Sequence, residues 1–285
     1  MELFIAKEPS SSGQWLNFLG AYSSFGLTVS VFECSRCGNC CEHLRGRISE
    51  EDARARSPYI FMLVPPSLMT LGLHEWELPG LREKAVSLSI DLRIRPSMVM
   101  WDETSKTALT IMWNLDHEDC PFFSQERICK IYKDRPLVCQ TFPLITAGLL
   151  SHVIQRISEP LRIGYGTCPS VPKVSFQENK PLFLGSRHVF KELFRAFGEA
   201  FVGSLRYEYA TIMVRDLLKD AETKGKICIS PMNKEIVKSI LRSKPVGALA
   251  FLESKGLLSE AELKDSVRSI ESFTVKSLQE RLGVN

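Results

Sequence analysis

Eight cysteines fall in two groups, Cys34, Cys37, Cys40 and Cys41, then Cys120, Cys129, Cys139 and Cys168. A thiolate is a soft anionic donor, and several of them side by side bind zinc or iron or exchange disulfides. Cys34, Cys37 and Cys40 stand at i, i+3 and i+6 in a segment containing Gly38, so the backbone can fold round one centre and turn three sulfurs inward. Three thiolates leave one coordination position. Vicinal side chains such as Cys40 and Cys41 start out pointing apart, and one of the two is expected to reach a second ion or another iron of a cluster. Eight thiols suit two four-thiolate sites or one polynuclear site.

The C-x2-C-x2-C triplet, with the distant Cys-Pro units Cys120-Pro121 and Cys168-Pro169, is similar to the bacterial ferredoxin arrangement. It favours an iron-sulfur cluster, of the 4Fe-4S type, over zinc. Zinc stays open, because all-thiolate tetrahedral sites are common for it and spacing does not encode redox state. Arg36, Arg45, Arg127, Lys130 and Arg135 are near enough in sequence to offset the charge of such a site, but each taken singly reads first as a solvated side chain. Arg135 stands out, since Pro136 fixes the chain beside it and a fork-shaped guanidinium can donate to thiolates or carbonyls. The histidines His43, His74, His117, His152 and His188 are too scattered for a ligand cluster and are read as surface or core residues. Asp116, Glu118 and Asp119 are read as a solvated turn.

Compartment decides between metal and disulfide. Met1 to Gly20 holds Glu2 and Glu8 and lacks the basic start and apolar run of a signal peptide, and no later segment has the roughly 18 uncharged apolar residues of a membrane helix. A cytosolic, reducing location is expected, where clustered cysteines more often bind metal. The 36 basic and 33 acidic residues are mixed along the chain, which gives no signal for nucleic acid or anionic lipid. The ninth cysteine, Cys228, sits in the apolar run Ile227-Cys228-Ile229 and is read as core.

These cysteines need elements to position them. At 285 residues and 44% hydrophobic content the chain can build a substantial core. Leu27 to Phe32 alternates like a strand leading into the first group, and Ser49-Glu50-Glu51-Asp52 looks like a capped helix start limited by Pro58. Ile90 to Trp101 and Ala108 to Leu115 flank the polar turn Asp102 to Lys106 and predict a β-hairpin running into the second group. Gly148 to Ile157 reads as a further strand, and Gly164 to Thr167 as a tight loop before Cys168. From residue 187 the period becomes helical: Phe190, Leu193, Phe194, Phe197 and Phe201 make one apolar face, read as core. Ser230-Pro231 predicts a helix start, Pro245 to Ser254 a short helix ended by Gly256, and Ser259 with Glu262 a capping box. A single last helix is expected to carry Leu263, Val267, Ile270, Leu278 and Leu282 on one side.

At the cysteines the sequence resembles the YkgJ-type cysteine cluster family of zinc- or iron-chelating proteins, whose mark is CxxCxxCC followed by downstream cysteines. Cys34 to Cys41 fits the opening, Cys120-Pro121-Phe122 the middle, and the stretch from Cys129 through Tyr132, Arg135-Pro136 and Cys139 to Phe142-Pro143 the family's later block. Cys168-Pro169 would complete the set, so the likeness spans about residues 34 to 169. Gln140 stands where an arginine is expected. Flagellin lysine methylases of the FliB type share the pattern, and the resemblance implies that such a domain can support methyl transfer from S-adenosylmethionine. No glycine-rich loop for that cofactor occurs, nor a C-x3-C-x2-C.

The expected fold is α+β: a small strand-rich, metal-centred domain with irregular loops over residues 1–185, followed by a helical region over 186–285 packed on it. The leading functional expectation is a cytosolic protein holding an iron-sulfur cluster or zinc through the eight cysteines, in electron transfer or in support of a transferase reaction. The alternative is a structural zinc module whose helical region binds a protein partner. Reversible disulfides at Cys34/Cys37 or Cys40/Cys41 are a third reading. G-x-S-x-G, G-x4-G-K-[ST] and G-x-G-x-x-G are all absent, which disfavours triad hydrolases, P-loop enzymes and Rossmann dehydrogenases.

Overall fold

A computed structural model describes residues 32–42, 44, 58–144, 170 and 194–282. Its centre is the predicted hairpin, β3 (Ile94–Asp102) against β4 (Thr107–Leu115), with short β1 (Phe61–Met62) and β2 (Gly72–Leu73) on its outer sides in the order β1-β3-β4-β2. The turn forms where the polar residues fall. The buried Asp102 carboxylate accepts from the N–H groups of Thr104 and Ser105 and from the Ser105 hydroxyl, and Lys106 takes φ 54° to bring the chain back. Register shifts between Pro96 and Val99 bend β3, as expected where a proline cannot donate to the ladder.

Two more strands come from far along the chain. β5 (Ile229–Ser230) runs antiparallel to β3 at Trp101 and Asp102, and β6 (Val246–Gly247) runs parallel to β4 at Leu109 and Thr110. The C-terminal part is therefore not helical throughout, since it supplies two of the six strands. The architecture is α+β.

Helices cover the sheet. α1 (Leu78–Ser87) turns Leu78, Leu81 and Ala85 onto a core shared with Leu44, Leu73, Leu115, Phe122 and Ile131, and Cys120, Cys129 and Val138 pack against it. The sequence reading assigned no helix there. After a four-residue helix, α2 (Leu137–Gln140), the long α3 (Glu199–Thr223) buries Val214, Leu218 and Ala221 against Leu109 and against α5 (Ala248–Ser254). Phe194, Phe197 and Phe201 are buried, as expected of a core face, while Phe190 and Leu193 of the same predicted face lie outside the described residues. α2 and α3 touch closely, because Gly203 leaves no room for a Cβ beside the Gln140 carbonyl.

The remaining helices correct three expectations. Ser230 is a strand residue, and α4 (Lys234–Arg242) starts later, capped by the Asn233 side chain, which accepts from the N–H groups of Glu235 and Ile236. Residues 246–247 pair with the sheet, so α5 begins at Ala248, while Gly256 at φ 65° follows its end as anticipated. The last helix is two, α6 (Glu260–Glu271) and α7 (Val275–Leu282), separated where Thr274 and Ser277 bond to each other's N–H. The Ser259/Glu262 capping box is present. Cys228 is exposed, not core. Ile227 takes the buried side at 2% exposure, and the next residue of an extended chain faces the other way. The predicted elements at 49–52, 148–157 and 164–167, and nearly all of 27–32, lie outside the described residues.

Candidate metal centre

The first cysteine group is a turn, held by N–H groups of Cys41 and Glu42 that donate to the Gly38 carbonyl. Gly38 has φ 82°, and a Cβ there would overlap the Phe123 ring, so glycine is needed both for the backbone and for the close approach. This turn corrects one expectation. In a turn, consecutive side chains diverge far less than in a strand, and the Cys40 and Cys41 sulfurs are 4.0 Å apart. A tetrahedral ion with Zn–S bonds of about 2.3 Å has sulfurs about 3.8 Å apart, so the vicinal pair suits one ion's coordination sphere.

Main-chain hydrogen bonds join the two groups. Cys120 N–H donates to the Cys41 carbonyl at 2.8 Å and Leu44 N–H to the Glu118 carbonyl at 2.7 Å, while Phe123 and Cys129 form a β-bridge that brings Cys129 back alongside. The thiols then crowd one another. The Cys41 pKa is pushed up to about 12, first by its hydrogen bond to Cys120, then by burial and by the Cys120 and Cys129 charges, against a lowering contribution from Cys40. Burial raises Cys139 well above the usual thiol value, and Cys41, Cys40 and Cys129 raise it further. Burial also raises Cys129, with Cys40 and Cys34 adding to it and Arg135 opposing.

Cys34 is exposed and Cys37, Cys40, Cys41, Cys120, Cys129 and Cys139 are half-buried. Cys168 lies outside the described residues. Among the described residues no three Cys, His, Asp or Glu side chains already stand as a metal-ready group. The donor chemistry nevertheless fits zinc or iron: the Cys41 thiol is hydrogen-bonded to Cys40 and to the remote Cys120, and the repulsion that Cys129 and Cys139 add as thiolates is what a bound cation relieves.

The basic residues act on the loops more than on the sulfurs. Arg127 donates to the Cys37 carbonyl through Nε and Nη2 and to the Glu42 carboxylate through Nη1 at 2.8 Å. Arg36 and Arg135 both stack on the Tyr132 ring, at 4.5 and 4.4 Å from its centroid, joining the first group to the segment between Cys129 and Cys139. Arg135 alone of them also lowers the thiol pKa values of Cys129 and Cys139. Lys130 is exposed, and Arg45 and His43 are outside the described residues. His117 is buried and its Nε2 accepts from Arg93 N–H, a structural role. Asp116 pairs with Arg95 at 3.2 Å.

Two further residues position the second group; Glu77 left no trace in the sequence pattern, and Gln140 stood out only as a departure from an expected arginine. The half-buried Glu77 accepts through its carboxylate from Leu137 N–H at 2.7 Å, at the start of the helix that carries Cys139, and from His74 N–H at 2.9 Å. Gln140, after Cys139, donates to the Arg135 carbonyl and accepts from Arg206 of α3. An arginine thus does reach this position, from another helix.

Residues 82–160 match the family model CxxCxxCC, described as a "Putative zinc- or iron-chelating domain", the family the sequence resembles. The matched stretch contains Cys120, Cys129 and Cys139 and stops short of the 34–41 group and of Cys168. No curated protein and no solved structure matches the chain. No helix among the described residues is long and apolar enough to cross a membrane.

Proposed function

We propose that this is a metal-binding protein of the reducing cytosol whose Cys34, Cys37, Cys40, Cys41, Cys120, Cys129, Cys139 and Cys168 hold an iron-sulfur cluster, of the 4Fe-4S type, serving electron transfer or supporting a transferase reaction. The observation that carries the metal reading is the bonding of the 38–41 turn to Cys120, by the Cys120 N–H on the Cys41 carbonyl and by the thiols of both residues, beside a Leu44, Leu73 and Phe122 core on which Cys120 and Cys129 pack. The family match over 82–160 supports it. Bound iron would supply one-electron chemistry, while the chain's own residues gather the thiols and balance their charge through Arg135.

A second reading, structural zinc with the helical region as a protein-binding surface, draws support from the 4.0 Å separation of the Cys40 and Cys41 sulfurs. Anaerobic purification followed by iron, acid-labile sulfide and zinc analysis separates the two. Brown protein with iron and sulfide supports the cluster, and colourless protein with stoichiometric zinc supports the second reading. Folded protein that takes up neither metal overturns both.

A further inference from the structure

The 34–41 loop is tied to the second cysteine group unevenly. At its C-terminal end it has the Cys41 and Leu44 main-chain bonds and the Phe123 ring over Gly38. Towards Cys37 and the exposed Cys34 the described ties to that group are side chains, Arg127 and the Arg36 stack on Tyr132. Arg127 is built for the task. It lies in the turn closed by Arg127 N–H on the Ser124 carbonyl and takes φ 61°, a left-handed conformation that costs a non-glycine residue energy unless its surroundings impose it. From there its planar fork spans two acceptors at once, the Cys37 carbonyl and the Glu42 carboxylate, which lie on either side of the Gly38 to Cys41 turn. A lysine carries the same charge but cannot bridge both acceptors in a fixed plane.

We propose that Arg127 is a positioning residue that holds the Cys34–Cys41 loop shut over the second cysteine group and thereby sets how fast bound metal leaves. This rests on the metal reading above. An exposed ion pair adds little to overall stability, so its worth lies in keeping one loop in register with the other, as outer hydrogen-bond partners of metal ligands do.

The test uses full-length protein carrying its metal as isolated, zinc or iron, chased with excess chelator. Arg127→Lys and Glu42→Gln are expected to keep the wild-type metal content and release it faster, by about tenfold. Lys133→Ala, which removes an exposed charge near the site but no strap, releases at the wild-type rate. Amide exchange in α3 of the loaded variants stays as in wild type. Unchanged release in both strap variants at full loading overturns the role of Arg127 and leaves the metal reading standing. Faster release accompanied by faster exchange in α3 also overturns it, because the effect is then a general loosening. Wild-type protein that carries no metal defeats the underlying reading, and the strap with it.

Discussion

Glu77 accepts the main-chain N–H of Leu137, 60 residues further on and two before Cys139. Burial raises its pKa from 4.5 to about 7, while burial of His74, whose N–H bonds the same carboxylate, lowers that imidazole from 6.5 to about 3. Between about pH 4.5 and 6.5 the folded protein keeps a proton on Glu77 and none on His74, and the unfolded chain does the reverse. The two pH dependences therefore cancel in that window, and stability stays flat there as far as this pair is concerned.

Single variants expose each slope. In His74→Phe the stability falls as pH rises from about 4.5 to 7, because folding then takes up the Glu77 proton. In Glu77→Gln it rises from about pH 3 to 6.5, because unfolding takes up the His74 proton. Thermal unfolding midpoints against pH, for both variants and wild type, check this. Parallel curves for all three would show that neither group has a shifted pKa.

Metal content sorts the cysteines. Serine at Cys41, Cys120 or Cys139 is expected to lower metal per chain by half or more, since each thiol adjoins another in the cluster, and serine at the exposed Cys228 changes nothing. Elemental analysis of purified variants is the measurement.

Gly38→Ala and Gly203→Ala test two close approaches with different outcomes. At Gly38 an added methyl overlaps Phe123 at a positive φ, so the 34–41 turn opens and metal is lost while the helical region keeps its stability. At Gly203 the methyl would overlap the Gln140 carbonyl, pushing α2 off α3 at a cost of about 1–3 kcal/mol. Metal analysis and thermal denaturation on the pair distinguish them.

Arg206 donates to Gln140 and to the carbonyls of Glu271 and Phe273 at the end of α6. Gln140→Ala removes one of three acceptors and is expected to cost about 1–2 kcal/mol. Hydrogen exchange should quicken in residues 260–271, and unchanged exchange there would show that Arg206 is held by the carbonyls alone.

The hairpin was legible because Asp102 to Lys106 is polar and flanked by apolar β-formers, and the Ser259/Glu262 box because capping is a local interaction. The cysteine pattern announced its chemistry through residue type alone. What stayed hidden depended on the tertiary partner. Cys228 looks like a core position in its apolar run, but the chain leading into β5 turns it outward; Ser230 looks like a cap, but it pairs with Trp101; and the vicinal sulfurs of Cys40 and Cys41 approach because Gly38 bends the chain. Glu77 carries no local sign that its acceptor oxygens serve residues 74 and 137 together.

β5 and β6 pair with the outer margins of the two long strands, and both come late in the chain. During synthesis, the ribosome has made β3 and β4 well before it reaches Gly247, and the intervening stretch of roughly 130 residues takes on the order of ten seconds to translate. Throughout that interval β1 and β2 can cover only part of these margins, and the stretches at Trp101–Asp102 and Leu109–Thr110 offer unpaired amide groups to any other nascent polypeptide. Those two stretches are closed only when the last third of the chain has emerged and β5 and β6 can pair with them.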